Sequence, residues 1–307
     1  MKFISIALLM IILPFRVIAM EHGTEISWNY YDNMVRIKAI DDKGRGKLCT
    51  GTSISGRYIL TAAHCLKNLS SGELITKRGR HNIPFALHYI NPTYNKADST
   101  GDIALIKLMA GTRTIKHKNI NYFPDFTQNK VKPGQRVFAL GFGGNTPEKL
   151  QYIEMKTSKS LWDTQINGKP FSRGRTTYGD SGGAWLNFAE EIIAPHSYTL
   201  DGINTESASN LFYAKDFLLN TINGWYYPTL VDVDKNQRTA ITIQSLHISP
   251  EVDQAYTSGD VVITGGSCRT LKTIKPFEKC AYEVSSNGKP GKIHLGNKQK
   301  ILINTNY

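Results

Sequence analysis

The chain has 307 residues, 40% of them hydrophobic and 20% charged, an ordinary globular composition that excludes a disordered protein. The length suits two domains, or one large all-β domain with an appendage. The formal net charge of +12 is spread along the sequence with no long basic block and no nucleic-acid motif, so it implies at most a general surface attraction to anionic partners.

In chain order, the first element is a secretory signal at residues 1–19. A basic start, Met1-Lys2, precedes an apolar run from Phe3 to Leu13, interrupted by Ser5 and too short to span a bilayer. Val17-Ile18-Ala19 supplies small residues for cleavage, which places Met20 first in the exported chain. No later stretch is long enough to cross a membrane, so the expectation is a secreted protein that is not integral to the membrane. Short strands follow, among them Met34–Ala39, Tyr58–Thr61, Ile103–Leu108, Gln135–Gly141 and Ala184–Phe188, separated by Gly, Asn, Pro and Ser clusters. Strands at that spacing suggest barrels or sandwiches. Tyr213–Trp225 reads as a helix, with Phe217, Leu218, Ile222 and Trp225 at helical offsets and Pro228 beyond it. The boundary of a second all-β domain, 229–307, falls there. Alternation in Thr239–Gln244, Gly259–Thr264 and Lys292–Leu295 marks its strands.

Four cysteines form two local pairs, Cys49/Cys65 and Cys268/Cys280, and in an exported chain disulfides are their expected fate. Neither pair has CxxC spacing or a histidine at a zinc-like offset, so no metal is expected.

The chemistry resides in three segments. Gly179-Asp180-Ser181-Gly182-Gly183 offers a serine on a sharp turn, with the amides of Gly179 and Ser181 as oxyanion donors. Thr61-Ala62-Ala63-His64-Cys65 offers a base, and Gly101-Asp102-Ile103-Ala104-Leu105 an aspartate at the mouth of an apolar strand. A serine hydroxyl needs a base within hydrogen-bond reach. His64 would take its proton, and Asp102 would hold the imidazole.

Leu48–Ser55 with Tyr58–Cys65, Asn91–Asn95 before Gly101–Leu105, Ala139–Gly143, and Tyr213–Lys215 resemble, in order, segments of the chymotrypsin- and trypsin-like serine proteases, over about Met20 to Trp225. The resemblance implies a double β-barrel with its active site between the barrels, over residues 20–228, and a Cys49–Cys65 disulfide beside His64. It also implies a secreted endopeptidase acting on proteins or peptides through an acyl-enzyme, without a cofactor, by the His-Asp-Ser mechanism that serves as the general example of nucleophilic catalysis. In this family a freed α-amine pairs with the Asp before the nucleophile. The corresponding pair here is Met20 and Asp180, although Met20-Glu21 departs from the family's Ile-Val start.

Trypsins carry an Asp six residues ahead of the serine, where this chain has Arg175. Thr176 and His196 resemble the pair that holds the substrate glutamate in glutamyl endopeptidases. Arg175, Thr176 and His196 are therefore expected to bind an acidic side chain before the scissile bond, unless Arg175 turns outward and leaves a neutral pocket. Gly265–Cys268 and Pro276–Cys280 resemble bacterial immunoglobulin-like modules. A small β-sandwich with a Cys268–Cys280 bridge follows from that, serving to dock on a secretion apparatus, a surface or a substrate, or only to stabilise the barrels. The alternative to an active protease is an inactive relative of the same fold that binds anionic partners.

Overall fold

The computed structural model describes residues 20–82, 88–109, 113–144, 148–200, 202–296 and 298–305. The signal segment 1–19 lies outside the described residues.

Strands dominate. The first fourteen are β1 (Thr24–Glu25), β2 (Met34–Asp41), β3 (Gly46–Ile54), β4 (Tyr58–Thr61), β5 (Leu69–Thr76), β6 (Gly79–Asn82), β7 (His88–Ile90), β8 (Ala104–Lys107), β9 (Arg136–Gly141), β10 (Gln151–Ser158), β11 (Gln165–Pro170), β12 (Ala184–Asn187), β13 (Ile192–Leu200) and β14 (Thr205–Ser209). They form two seven-stranded sheets. The first runs β6-β5-β2-β3-β4-β8-β7. The second runs β1-β10-β11-β14-β13-β12-β9, and a further β9–β10 ladder closes it into a barrel, removing the edges that an open sheet would expose. Each sheet buries its own apolar residues: Val35, Ile37, Ile59 and Leu74 in the first, and Val137, Ile153, Met155 and Trp185 in the second. A third cluster fills the space between the barrels, with Leu60, Leu105, Leu140 and Phe142 in contact across the cleft. This is the all-β double barrel expected from the sequence.

The helix differs from its expected span. A 3₁₀ turn, Leu211–Ala214, leads into a helix at Lys215–Ile222, which ends where Asn223 adopts a left-handed conformation. Gly224–Tyr226 is then already a strand, β15, paired with the C-terminal sheet. Buried Trp225 and Tyr226 pack as strand residues, so their apolar character, read as helical periodicity, belongs to a different element. Tyr213–Lys215, which resembles the last barrel strand of the serine proteases, lies instead in the 3₁₀ turn and the start of the helix, and β14 is the last strand of the second barrel in chain order.

The remaining strands are β16 (Leu230–Val231), β17 (Arg238–Leu246), β18 (Tyr256–Gly259), β19 (Val262–Gly265), β20 (Lys279–Ser285), β21 (Gly291–Gly296) and β22 (Gln299–Ile303). They build two four-stranded sheets, β15-β17-β20-β19 and β16-β22-β21-β18. One core joins them: Ile241, Ile243, Tyr282 and Val284 from the first sheet, with Ile293, Leu295, Ile301 and Ile303 from the second. The alternating run Gly259–Thr264 is split, because Gly259 turns at φ +73° and the chain resumes as β19 only at Val262. Cys268 and Cys280 form a disulfide across 12 residues.

The C-terminal sheets rest on the segment that links the barrels. Buried Gln244 donates to the carbonyls of Phe123 (2.8 Å) and Phe277 (2.9 Å) and accepts from the Phe123 amide (3.0 Å). The Tyr122 hydroxyl donates to Thr242 O at 2.6 Å. The Thr229 hydroxyl accepts from the His117 amide at 2.8 Å. Phe123, Phe126 and Phe277 stack edge-on beneath these bonds.

Candidate active site

Strand register brings the first two site residues together. β4 and β8 are antiparallel with Thr61 opposite Ala104. His64, on the one-turn helix Ala63–Leu66 that follows β4, therefore lies at the same end as Asp102, two residues ahead of β8. The Asp102 carboxylate accepts from the His64 backbone amide at 2.9 Å and holds His64 Nδ1 at 2.7 Å. Ser197, absent from the sequence reading, donates its hydroxyl to the same carboxylate oxygen. Asp102 is 1% exposed, and these three contacts, together with the cost of leaving a buried carboxylate unpaired, fix its position. Ser197 reaches Asp102 because a register shift between His196 and Tyr198 turns it out of the β13–β14 ladder.

The turn that carries Ser181 docks on the first barrel. Thr50 of β3 donates its amide to Ser181 O (2.8 Å) and its hydroxyl to Gly179 O (2.8 Å), and that hydroxyl also accepts from the Phe142 amide (3.0 Å). The docking demands glycine. Gly182 has φ +82°, and a Cβ there would lie 2.1 Å from Thr61 Oγ1 and 2.4 Å from Thr50 O. Disulfide-bonded Cys65 closes the arrangement, its sulfur 3.8 Å from His64 Nε2 and 3.7 Å from Ser181 O. With both sulfurs oxidised, Cys49 and Cys65 offer no thiolate to a metal beside His64. Ser181 Oγ makes no hydrogen bond to His64 among the described residues. Such contacts are often loose before substrate arrives. Beside the turn, the exposed Tyr178 side chain donates its hydroxyl to Gly46 O (2.8 Å) and accepts from the Leu48 amide (3.0 Å), a second tie between the Ser181 turn and the first barrel.

Asp180 is fully buried and accepts from the amides of Gly143 (2.7 Å) and Thr177 (2.8 Å). Burial pushes its carboxyl up to about 7 against the opposing effect of those amides. Met20 is also fully buried, packed with Val137, Ala139, Ile153 and Trp185. Glu21 stays at the surface, its carbonyl accepting from the Arg175 amide (2.9 Å) and its carboxylate 3.6 Å from Arg175 Nε. The Glu21 side chain therefore does not enter the interior with Met20.

The three residues expected to form an acid-binding pocket are placed differently. Thr176 and His196 do meet, with Thr176 Oγ1 and His196 Nε2 2.9 Å apart. Arg175 instead reaches toward Glu21. The position expected for a substrate carboxylate holds the chain's own Glu206, which accepts from the Thr176 amide (3.0 Å), the Thr176 hydroxyl and the Thr199 hydroxyl (2.8 Å). Glu206 is fully buried, and burial raises its carboxyl. With those donors taken and a carboxylate already present, the expectation of acidic preference loses its physical basis. His196, stacked on Trp185 and fully enclosed, is pushed down to about 3 by burial and stays neutral. Glu206 gave no sequence signal because its spacing from Ser181 matches no motif. Ser197 could have been suspected only as the neighbour of His196.

An imidazole held by a buried carboxylate, on a double barrel that also carries a glycine-rich serine turn, matches the arrangement used by nucleophilic hydrolases. The family model described as "Trypsin" matches residues 23–217, and the chain belongs to this family. Its relatives include granzyme C of Mus musculus, 27% identical over 209 residues, covering 61% of this chain and 81% of that one. Among solved structures, the VesB protease of Vibrio cholerae aligns over 92% of this chain and 99% of its own at a TM-score of 0.54 and 18% identity. The secreted serine protease VesC of the same organism aligns over 92% of this chain and 70% of its own, at a TM-score of 0.50 and 17% identity. At those identities the two structures speak for the fold. The chain is a trypsin-family serine endopeptidase, with proteins or peptides as substrates. Among the described residues, no helix is long and apolar enough to cross a membrane.

Proposed function

We propose that His64, Asp102 and Ser181 are the catalytic triad of a secreted endopeptidase that works through an acyl-enzyme. The observation that supports this reading is the double grip of buried Asp102 on the amide and Nδ1 of His64, which leaves Nε2 as the ring nitrogen to take the serine proton. Ser181 Oγ attacks the scissile carbonyl, and His64 Nε2 accepts its proton. Asp102 stabilises the imidazolium, and the amides of Gly179 and Ser181 receive the oxyanion. His64 then returns the proton to the leaving amine. Water repeats the sequence to release the acid.

Removal of residues 1–19 would free the amine of buried Met20 to pair with the buried Asp180 carboxyl. An ammonium there supplies the cation that this carboxylate lacks, and links export to ordering of the oxyanion turn. The strands after Gly224 form an immunoglobulin-like sandwich that braces the linker between the barrels and offers a surface for docking outside the cleft.

The test compares secreted wild type with Ser181→Ala on casein and with a fluorophosphonate that labels active serines. Cleavage and labelling by wild type alone support the triad. Labelling of the Ser181→Ala variant would overturn the assignment. Folded wild type that neither cuts nor labels would favour the inactive, anion-binding relative.

A further inference from the structure

The wall of the cleft beside Ser181 has an unusual construction. β13 pairs with β14 along one edge from Tyr198 to Leu200, while its ladder with β12 on the other side reaches only Pro195 opposite Ala184. Beyond Ser197, which touches Asp102, that second edge has no ladder partner among the described strands, so an extended peptide can add to it. A peptide added there would carry the side chain preceding the scissile bond toward the space between β13 and the segment 175–179, beside the Ser181 turn.

Three side chains meet in that space. Thr176 comes from one wall, Thr199 from the opposite wall, and Glu206 from β14 directly across the ladder from Thr199. The Thr176 and Thr199 hydroxyl oxygens are 2.8 Å apart. One proton arrangement satisfies the group: both hydroxyls donate to the Glu206 carboxylate, the Thr176 amide donates to its other oxygen, and His196 Nε2–H donates to Thr176 Oγ1. It leaves His196 Nδ1 as the bare nitrogen, consistent with that atom's lack of a partner. Two opposing walls joined through the Glu206 carboxylate, with their hydroxyl oxygens 2.8 Å apart, leave no passage for a side chain between them. Thr176 is 2% exposed and Glu206 is fully buried, and Thr199 is half-buried at the outer end of the cluster.

We infer that Thr176, Thr199 and Glu206 form a plug closing the primary specificity pocket, so that this enzyme cuts after small side chains such as Gly, Ala and Ser. The inference rests on the assignment of Ser181 as nucleophile. The carboxylate of Glu206 is spent inside the plug, where its three donors hold it, and does not face the substrate.

The test measures kcat/KM on matched quenched peptides with Ala, Ser, Leu, Phe, Lys or Glu before the scissile bond, for wild type and Thr199→Gly. Active sites are counted with a small fluorophosphonate that needs no side-chain pocket. Wild type is expected to favour Ala and Ser by at least tenfold. Thr199→Gly, which removes one wall of the plug, is expected to raise the Leu-to-Ala ratio at least tenfold. Wild-type preference for Lys would show that Glu206 reads a cation and overturn the plug. So would preference for Leu, Phe or Glu. The wild-type profile decides this even where Thr199→Gly fails to fold. Labelling combined with a large-residue preference removes the plug alone, whereas absence of labelling removes the nucleophile assignment and the plug with it.

Discussion

Replacing Thr50 by Val tests whether the oxyanion turn is held from the first barrel. Thr50 is fully buried, and Val matches its shape while deleting the hydroxyl. Two bonds go with it, the donation to Gly179 O and the acceptance from the Phe142 amide. Each leaves a buried backbone group without its partner, at about 1–3 kcal/mol apiece, so roughly 2–6 kcal/mol of stability should be lost. The Thr50 amide still bonds Ser181 O, so the serine keeps one anchor. The freed Gly179 carbonyl lets its peptide rotate and loosens the adjacent oxyanion amides. Complete loss of one oxyanion donor costs roughly 10²–10³ in kcat, and loosening should cost less, about 10–100-fold. The assay is steady-state kinetics on an Ala-directed peptide, with Tm in parallel. We expect kcat to fall and KM to stay within threefold. Thr50→Ser, which keeps the hydroxyl, should recover most of kcat. A Thr50→Val enzyme with wild-type kcat, or a Thr50→Ser variant as impaired as Thr50→Val, would refute the reasoning.

Gln244→Leu should lower Tm by several degrees or more, because it strips hydrogen-bond partners from the Phe123 amide and from the Phe123 and Phe277 carbonyls, at roughly 3–9 kcal/mol in total; an unchanged melting curve would show that the C-terminal sheets do not brace the barrels. His117 is fully buried with both ring nitrogens unpartnered, and burial pushes it down to about 3. Its folded value lies below its unfolded value, so its contribution to stability is present above about 6.5 and is lost as pH falls toward 3. His117→Phe should therefore gain in Tm over wild type as the buffer goes from pH 7 to pH 4, and a pH-independent difference would count against this. Asp180 has the opposite sign. Its folded value of about 7 lies above its unfolded value, so its contribution is present below about 4 and lost as pH rises through 7. A chain beginning at Met20 should escape that loss by pairing its amine with Asp180, whereas one carrying a single extra Gly before Met20 should lose stability from pH 5 to pH 8 and be at least tenfold less active. Equal activity of the two chains would remove the activation pair.

The strands were legible in the sequence because their signals are local, and their assembly into a double barrel followed from the resemblance to the serine proteases. Apolar runs such as Ala104–Lys107 alternate with turn residues, and the glycines around Ser181 sit where contact with Thr50 and Thr61 forbids a Cβ. His64 and Asp102 could be named because each sits in a short local motif beside an apolar strand, and the β4–β8 register brings the two side chains together. The pocket was not legible. Thr176 and His196 were found from their distances to Ser181, but their function depends on Glu206, which reaches them only through the pairing of β14 with β13. A carboxylate brought in by a long-range ladder leaves no mark near the nucleophile. The helix was overextended for a related reason. Trp225 and Tyr226 are apolar enough to continue its pattern, yet the left-handed turn at Asn223 hands them to a sheet formed with residues 244–246.

That handover bears on how the two parts of the chain depend on each other. The strand Gly224–Tyr226 belongs to the C-terminal sheet, but the Tyr226 side chain is buried between the barrels, its hydroxyl donating to Asn121 O at 2.9 Å. Ser55, in the turn between β3 and β4, donates to Trp225 O at 2.6 Å, and Thr229 and Leu230 bond the backbone of His117. These contacts fall on the first barrel and on the linker between the barrels. The linker is the element whose movement would shift one barrel against the other and open the distance between Asp102 on the first and Ser181 on the second. A C-terminal unit fastened there, remote from the substrate edge of β13, constrains the geometry of the cleft without occupying it. Cutting the chain after Tyr227 would delete the partner strand of β15 and expose Trp225 and Tyr227 to solvent. The barrels of this protein therefore differ from a self-sufficient double barrel: part of what holds their two halves in register is supplied by residues beyond it.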